Sequence, residues 1–270
     1  MVLYTNYELS NAALIKLSSF LFWSWCYLWC TQGFPRHKPE WYSRMVTLLH
    51  GSVASFFGFY QCGLTSLNSV TTITLTPGVL HPPLRPTHQY ALMVWSWGYF
   101  AFDLMWCLIY TPRDYIILLH HASALVGVNV YMGKENTGCS FPCTVALLEI
   151  TNPLLQTRWF LRECGHNKTV VYYTVEILYL LMFLALRGVL CTYFMYKIIL
   201  SDTFGMDQKL ISFALYIVSS ALVYEIFGYI MYNTNANGNK NTMQLWITKT
   251  IMYFNKYLHF TEMFQFVLMW

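Results

Sequence analysis

Only 10% of the 270 residues are charged, 56% are hydrophobic, and the mean hydropathy is +0.41, where soluble domains usually carry about a quarter charged residues. Sixteen Lys and Arg with twelve Asp and Glu cannot cover the surface of a soluble domain of this length, so lipid is the main solvent of this chain. A net charge of +4 with no long basic run excludes nucleic-acid binding.

The N-terminus, MVLYTNYELSNAALIK, has neither a basic leader region nor a small-residue cleavage site, so the first apolar run reads as a retained helix. Crossing ~30 Å of hydrocarbon takes about 20 residues of helix. Runs of that length begin near Asn11, Met45, Tyr90, Tyr115, Ser140, Val170 and Leu210, and end near Thr31, Thr65, Tyr110, Met132, Leu161, Ile198 and Tyr232. They predict an all-α, multi-pass transmembrane helical bundle of about seven spans, joined by polar or Pro/Gly-bearing turns such as Gly33-Phe34-Pro35-Arg36 and Thr76-Pro77-Gly78. One membrane domain over 40–232 is expected, preceded by the first span and its joint (1–39). A polar linker, Asn233 to Thr242, opens the segment 233–270. Beyond that linker Trp246, Tyr253, Tyr257, Phe260 and Phe264 recur at helical spacing opposite Gln244, Asn255, Lys256, His259 and Glu262, which predicts an amphipathic helix lying in the membrane interface.

Lys and Arg distribute unevenly between the joints. Arg36, Lys38, Arg44, Arg113, Arg158, Arg162, Lys168, Lys240, Lys249 and Lys256 fall on one side, and Arg85, Lys134, Lys197 and Lys209 on the other. The bias puts the N-terminus in the lumen or exterior and the C-terminus in the cytosol, and it leaves the sequon Asn167-Lys168-Thr169 on the cytosolic side, unglycosylated. Cys26, Cys30, Cys62, Cys107 and Cys191 sit in apolar runs and read as packing residues, while Cys139 and Cys143 are spaced for a local disulfide.

Several ionisable residues lie within the spans, where each charge costs roughly 2.5 to 3.5 kcal/mol on insertion scales and is usually inward-facing and paired. They are Asp103 in span three, His120 and His121 in span four, Glu149 and Asn152 in span five, Arg187 in span six and Glu225 in span seven, with His50 toward the cytosolic end of span two. Glu176 and Arg187 share a helix face but stand about 16 Å apart along it, too far to pair. Arg187 therefore calls for a carboxylate from another helix, Glu149 or Asp103. His120 and His121 diverge by about 100° around their helix, so at most one faces a given centre. Glu149, Asn152 and Gln156 form a polar stripe on span five, and Pro153 frees a backbone carbonyl near the same level. Interhelical hydrogen-bond glue accounts for the acids and the arginine as readily as a site does; the histidines fit a general base or proton relay. No HxxxH or CxxC spacing marks a metal site.

These landmarks resemble the TLC family of membrane proteins, which includes the ceramide synthases. The matching residues are Glu40-Trp41 with Arg44 and His50, the run Gly98 to Leu104, His120-His121, Glu149-Ile150-Thr151-Asn152-Pro153 followed by Arg158-Trp159, and Arg187. The resemblance runs from Glu40 to Tyr232. It implies an α-helical fold in internal membranes and a role in membrane lipid metabolism, organisation or trafficking. In the ceramide synthases a pair of Asp follows the paired His by two to three turns, whereas Ala122 to Gly133 here holds no acid, which sets the chain apart from them.

Catalysis is left open. The expected partners are membrane lipids, held at a polar cavity of Asp103, Glu149, Asn152 and Arg187. The enzymatic alternative is acyl transfer from acyl-CoA with His120 or His121 catalytic, without further cofactor or metal; a non-catalytic cargo or translocon partner is the other.

Overall fold

The computed structural model describes residues 2–62, 87–133, 140–202 and 204–236. The proposed interfacial helix around Trp246 to Phe264 lies outside them. The described residues are helical throughout, as α1 (Val2–Gly33), α2 (Pro39–Cys62), α3 (Thr87–Tyr110), α4 (Tyr115–Met132), α5 (Ser140–Glu149), α6 (Thr151–Glu163), α7 (Val170–Phe183), a π-helical segment (Leu184–Leu190), α8 (Cys191–Leu200) and α9 (Met206–Ala236). In lipid a backbone polar group must find its partner within its own helix, and this set of elements meets that demand.

All seven expected runs are helical. Five are long and apolar enough to cross a membrane: Ala12–Gly33, Tyr90–Tyr110, Tyr115–Met132, Val170–Leu200 and Met206–Gly228. The other two, α2 and the α5–α6 pair, are the ones that carry the polar stripes. Many large apolar side chains of the long helices point outward, Trp25, Trp29, Leu108, Val170 and Leu210 among them, as lipid-facing surfaces require.

Local chemistry sets the element ends. The Asp114 carboxylate accepts from Ile117 N–H to start α4, and the Thr169 hydroxyl accepts from Tyr172 N–H to start α7. At the end of α6, Gly165 takes φ +78°, and Gly165 N–H and His166 N–H bond back to the carbonyls of Arg162 and Leu161, a Schellman closure that a side chain at 165 would strain. Pro153 has no N–H for the carbonyl of Glu149, and the run from Ser140 breaks at Ile150 into α5 and α6, as its sequence predicts. The π turn has no such marker. Its closing bond, Cys191 N–H to Leu186 carbonyl, spans five residues in place of four.

The chain divides into two compact units, Met1–Val223 and Tyr224–Trp270, with the boundary inside α9. In the second, α9 continues to Ala236, so the first residues of the expected polar linker are helical, and Glu225 is exposed where a buried acid is expected. Within the first unit the contacts fix relative directions. Arg44 on α2 reaches Gln156, Gly51 lies against Asn152 and Pro153, and Gly58 against Pro142 and Ala146, so α2 runs antiparallel to α5 and α6. A Cβ on Gly58 would stand 2.8 Å from both the Pro142 carbonyl and Ala146 Cβ, which is why the two backbones approach so closely there.

Arg158 on α6 meets Glu176 on α7, and Leu148 on α5 meets Arg187, which makes that pair antiparallel as well. Asp103 meets His121 and Trp97 meets Asn129, so α3 and α4 are antiparallel. By contrast Ser19 lies against Gly98 and Tyr27 against Phe102, so α1 and α3 run parallel. An up-and-down order follows. The core between α1, α2 and α3 is aromatic: Trp23 is fully buried, donates to the Trp95 carbonyl at 3.0 Å, and packs edge-on against Trp95, Tyr99 and His50.

Candidate functional site at mid-depth

The antiparallel registers gather the buried polar residues at one level. His50 stands at the middle of α2, not toward its end, because that helix begins at Pro39. Its ring stacks on Tyr99 with centroids 3.8 Å apart and planes 7° from parallel, and its Nδ1 lies 3.4 Å from Glu149 Oε2. The same carboxylate oxygen accepts from Asn152 Nδ2 at 2.7 Å. On the neighbouring pair of helices His121 Nε2 lies 3.1 Å from Asp103 Oδ2, and the Tyr99 hydroxyl bridges Asp103 (3.2 Å) and the Thr47 hydroxyl (3.0 Å). Tyr99 thus ties the His50–Glu149 pair to the His121–Asp103 pair.

Arg187, on the π segment, is buried, donates from Nη2 to the Leu148 carbonyl at 2.8 Å, and lies over the Phe183 ring at 5.1 Å. The expectation of a carboxylate partner is corrected here. Glu149 Oε2 is already shared by His50 and Asn152, and Arg187 instead takes the backbone carbonyl one residue before Glu149, where its charge still acts on Glu149 and on His120. Glu176 pairs with Arg158, so Glu176 and Arg187 share a face without meeting, as the spacing predicts. His120 and His121 diverge as expected, one toward the Arg187 charge and the other onto Asp103.

Not every group at this level is satisfied. His50 Nε2, His120 Nδ1, His121 Nδ1 and Arg187 Nε are buried with no hydrogen-bond partner among the described residues. Native proteins rarely leave buried polar atoms so, because each costs about 1–3 kcal/mol of lost hydration.

A second polar region lies at the end of the bundle that holds Arg44. Arg44 pairs with Glu40, donates to Gln156 at 3.0 Å, and lies over the Trp159 ring at 4.7 Å. The stripe Glu149, Asn152 and Gln156 therefore borders another helix, α2, as a polar wall. At the opposite end Lys16 donates to Asn129 at 2.8 Å beside Trp97, and α5 begins near Cys143, which is held in a disulfide. The expected partner, Cys139, lies outside the described residues. Cys26, Cys30, Cys107 and Cys191 carry free thiols, as packing residues would.

Three groups drawn into this centre went unmarked in the sequence reading: Thr47, Tyr99 and Cys107. Asp103, Cys107 and His121 each present a ligand atom within 4.8 Å of the others. Asp103 and Cys107 are four residues apart on one face of α3, a spacing that could have flagged them; the third member comes from α4 and no local pattern announces it.

The fold and its centre define a multi-pass α-helical membrane protein with a buried polar core shared among five helical elements. The family model of the TLC domain, named for TRAM, LAG1 and CLN8, matches residues 40–270, and the chain belongs to that family. The match continues past Tyr232, where the resemblance stops in the sequence reading, and takes in the C-terminal segment. No solved structure matches the chain.

Proposed function

We propose that this protein binds and handles membrane lipid, in the service of lipid homeostasis in the endoplasmic reticulum or another internal membrane, with the polar part of the lipid held at the mid-depth centre. The observation that carries the reading is the set of unpartnered polar atoms on His50, His120, His121 and Arg187, gathered at the level of Glu149 and Asp103. A lipid head or ester carbonyl offers acceptors to such donors, and the apolar outer surfaces adjoin the acyl chains. Membership of the TLC family supports a lipid-related role. Within the family, the run Glu149 to Glu163 resembles TLC domain-containing protein five. The test is lipid analysis of the purified protein: His121→Ala and Arg187→Ala, each still folded by thermal unfolding, should lose a lipid that accompanies the wild type. Identical lipids in all three would sink the proposal.

A second reading, acyl transfer from acyl-CoA, draws support from the His121–Asp103 pair at 3.1 Å, the arrangement in which a carboxylate orients a general-base imidazole. Labelled acyl-CoA offered with lysolipids, sphingoid bases and alcohols should then give a product that disappears with His121→Ala; absence of transfer to every acceptor overturns it.

For orientation we propose a lumenal or exterior N-terminus and a cytosolic C-terminus. Two independent features support it. Arg36, Lys38, Arg44, Arg158, Arg162 and Lys168 cluster at one end, whereas the disulfide at Cys143 stands near the other, and disulfides persist on the oxidising side of a membrane. A glycosidase-sensitive mass shift abolished by Asn167→Gln would invert this arrangement.

A further inference from the structure

We infer that Asp103, Cys107 and His121 form a binding site for a zinc-type divalent cation, clamping α3 to α4. The inference does not rest on lipid binding. A carboxylate oxygen, a thiol sulfur and an imidazole nitrogen lie within 4.8 Å of one another, two of the residues are buried and the third is nearly so. This is the mixed donor set that suits zinc, which takes three protein ligands and keeps a fourth position for water or substrate at its reactive sites. Tetrahedral bonds of about 2.0–2.3 Å put ligand atoms roughly 3.3–3.8 Å apart, so side-chain rotations of about 1 Å complete the geometry.

Charge favours the cation at this depth. A metal-bound thiol is a thiolate; with the carboxylate it offsets both positive charges, and His121 binds as a neutral ring. The bound group is then neutral overall, which lowers the cost of its place inside a span. The surroundings fit as well. The Tyr99 hydroxyl bonds Asp103 Oδ2 and is itself held by Thr47, the kind of outer partner that orients a ligating carboxylate. The rival account, that Cys107 merely packs and Asp103 pairs with His121 alone, leaves the thiol's position one turn from the carboxylate without a role.

The test uses the full chain purified in detergent, loaded with zinc and dialysed. Elemental analysis should find about one zinc per chain, the stoichiometry of a single three-ligand site. His121→Ala and the nearly isosteric Cys107→Ser should each lower zinc retention at least roughly tenfold, and Tyr99→Phe should weaken it about 10–100-fold, as loss of an outer hydrogen bond does. Loading with cobalt gives an independent reading, since a thiolate ligand adds a near-ultraviolet charge-transfer band that Cys107→Ser must abolish. The inference fails if the loaded wild type holds under about a tenth of a zinc per chain, or if Cys107→Ser, with an unchanged unfolding temperature, keeps both zinc and the cobalt band.

Discussion

The mid-depth centre and the region around Arg44 use the same residue types, yet one is saturated and the other is not. Around Arg44 and Arg158 each guanidinium meets a carboxylate, and Arg44 adds an amide and an aromatic face; the Arg44–Glu40 pair is partly exposed. At mid-depth two histidine–carboxylate pairs and an arginine are packed from several helices, and four buried polar atoms are left over. Interhelical glue predicts the first pattern. A site with a missing participant predicts the second.

Substitution can break or sharpen this contrast. The largest effect is expected at Asp103→Ala, which strips the acceptor from both His121 and Tyr99 and leaves buried groups unpaired. Loss of one partner from a buried pair costs about 3–5 kcal/mol, measured here as lowered thermal stability in detergent. An unfolding temperature equal to wild type would mean that water reaches the centre, and the contrast would collapse. Gly58→Val should come next, at roughly 1–3 kcal/mol, because the added carbons meet the Pro142 carbonyl and Ala146, and backbone cannot step aside as a flexible side chain can. That variant loosens the seam that sets the register between His50 and Glu149, so ligand retention should fall along with stability. Arg44→Ala should cost least, about 0.2–1 kcal/mol, since its ion pair is partly exposed to solvent and screened. A larger loss would show that the Arg44 region is as tightly coupled as the centre.

Much of the bundle was legible because lipid demands continuous apolar helices, and hydropathy records them directly. Even α2, which is too polar to meet the hydropathy criterion of a span, was readable from its small residues and its position between joints. The broken span five was readable from Pro153. Pairing was not legible. His121 chooses Asp103, and Glu149 chooses His50, through registers between helices far apart in sequence, and nothing in the local pattern of either partner encodes such a register. Arg187 missed its expected carboxylate for a related reason: Asn152, three residues along the same stretch, and His50 had already claimed the oxygen nearest to it. The depth of His50 was misjudged because α2 opens at Pro39, six residues before its apolar run.

The π segment Leu184–Leu190 carries an implication for chain length. A π turn holds one residue more than the α turn it replaces, so the segment is in effect a single-residue insertion within span six. Dropping one residue there would let the helix relax to α form and swing everything beyond it by about 100°. Thr192, whose hydroxyl lies 3.1 Å from that of Tyr216, would turn away from α9. Span six should therefore tolerate exchanges along its outer face far better than any change in the number of its residues.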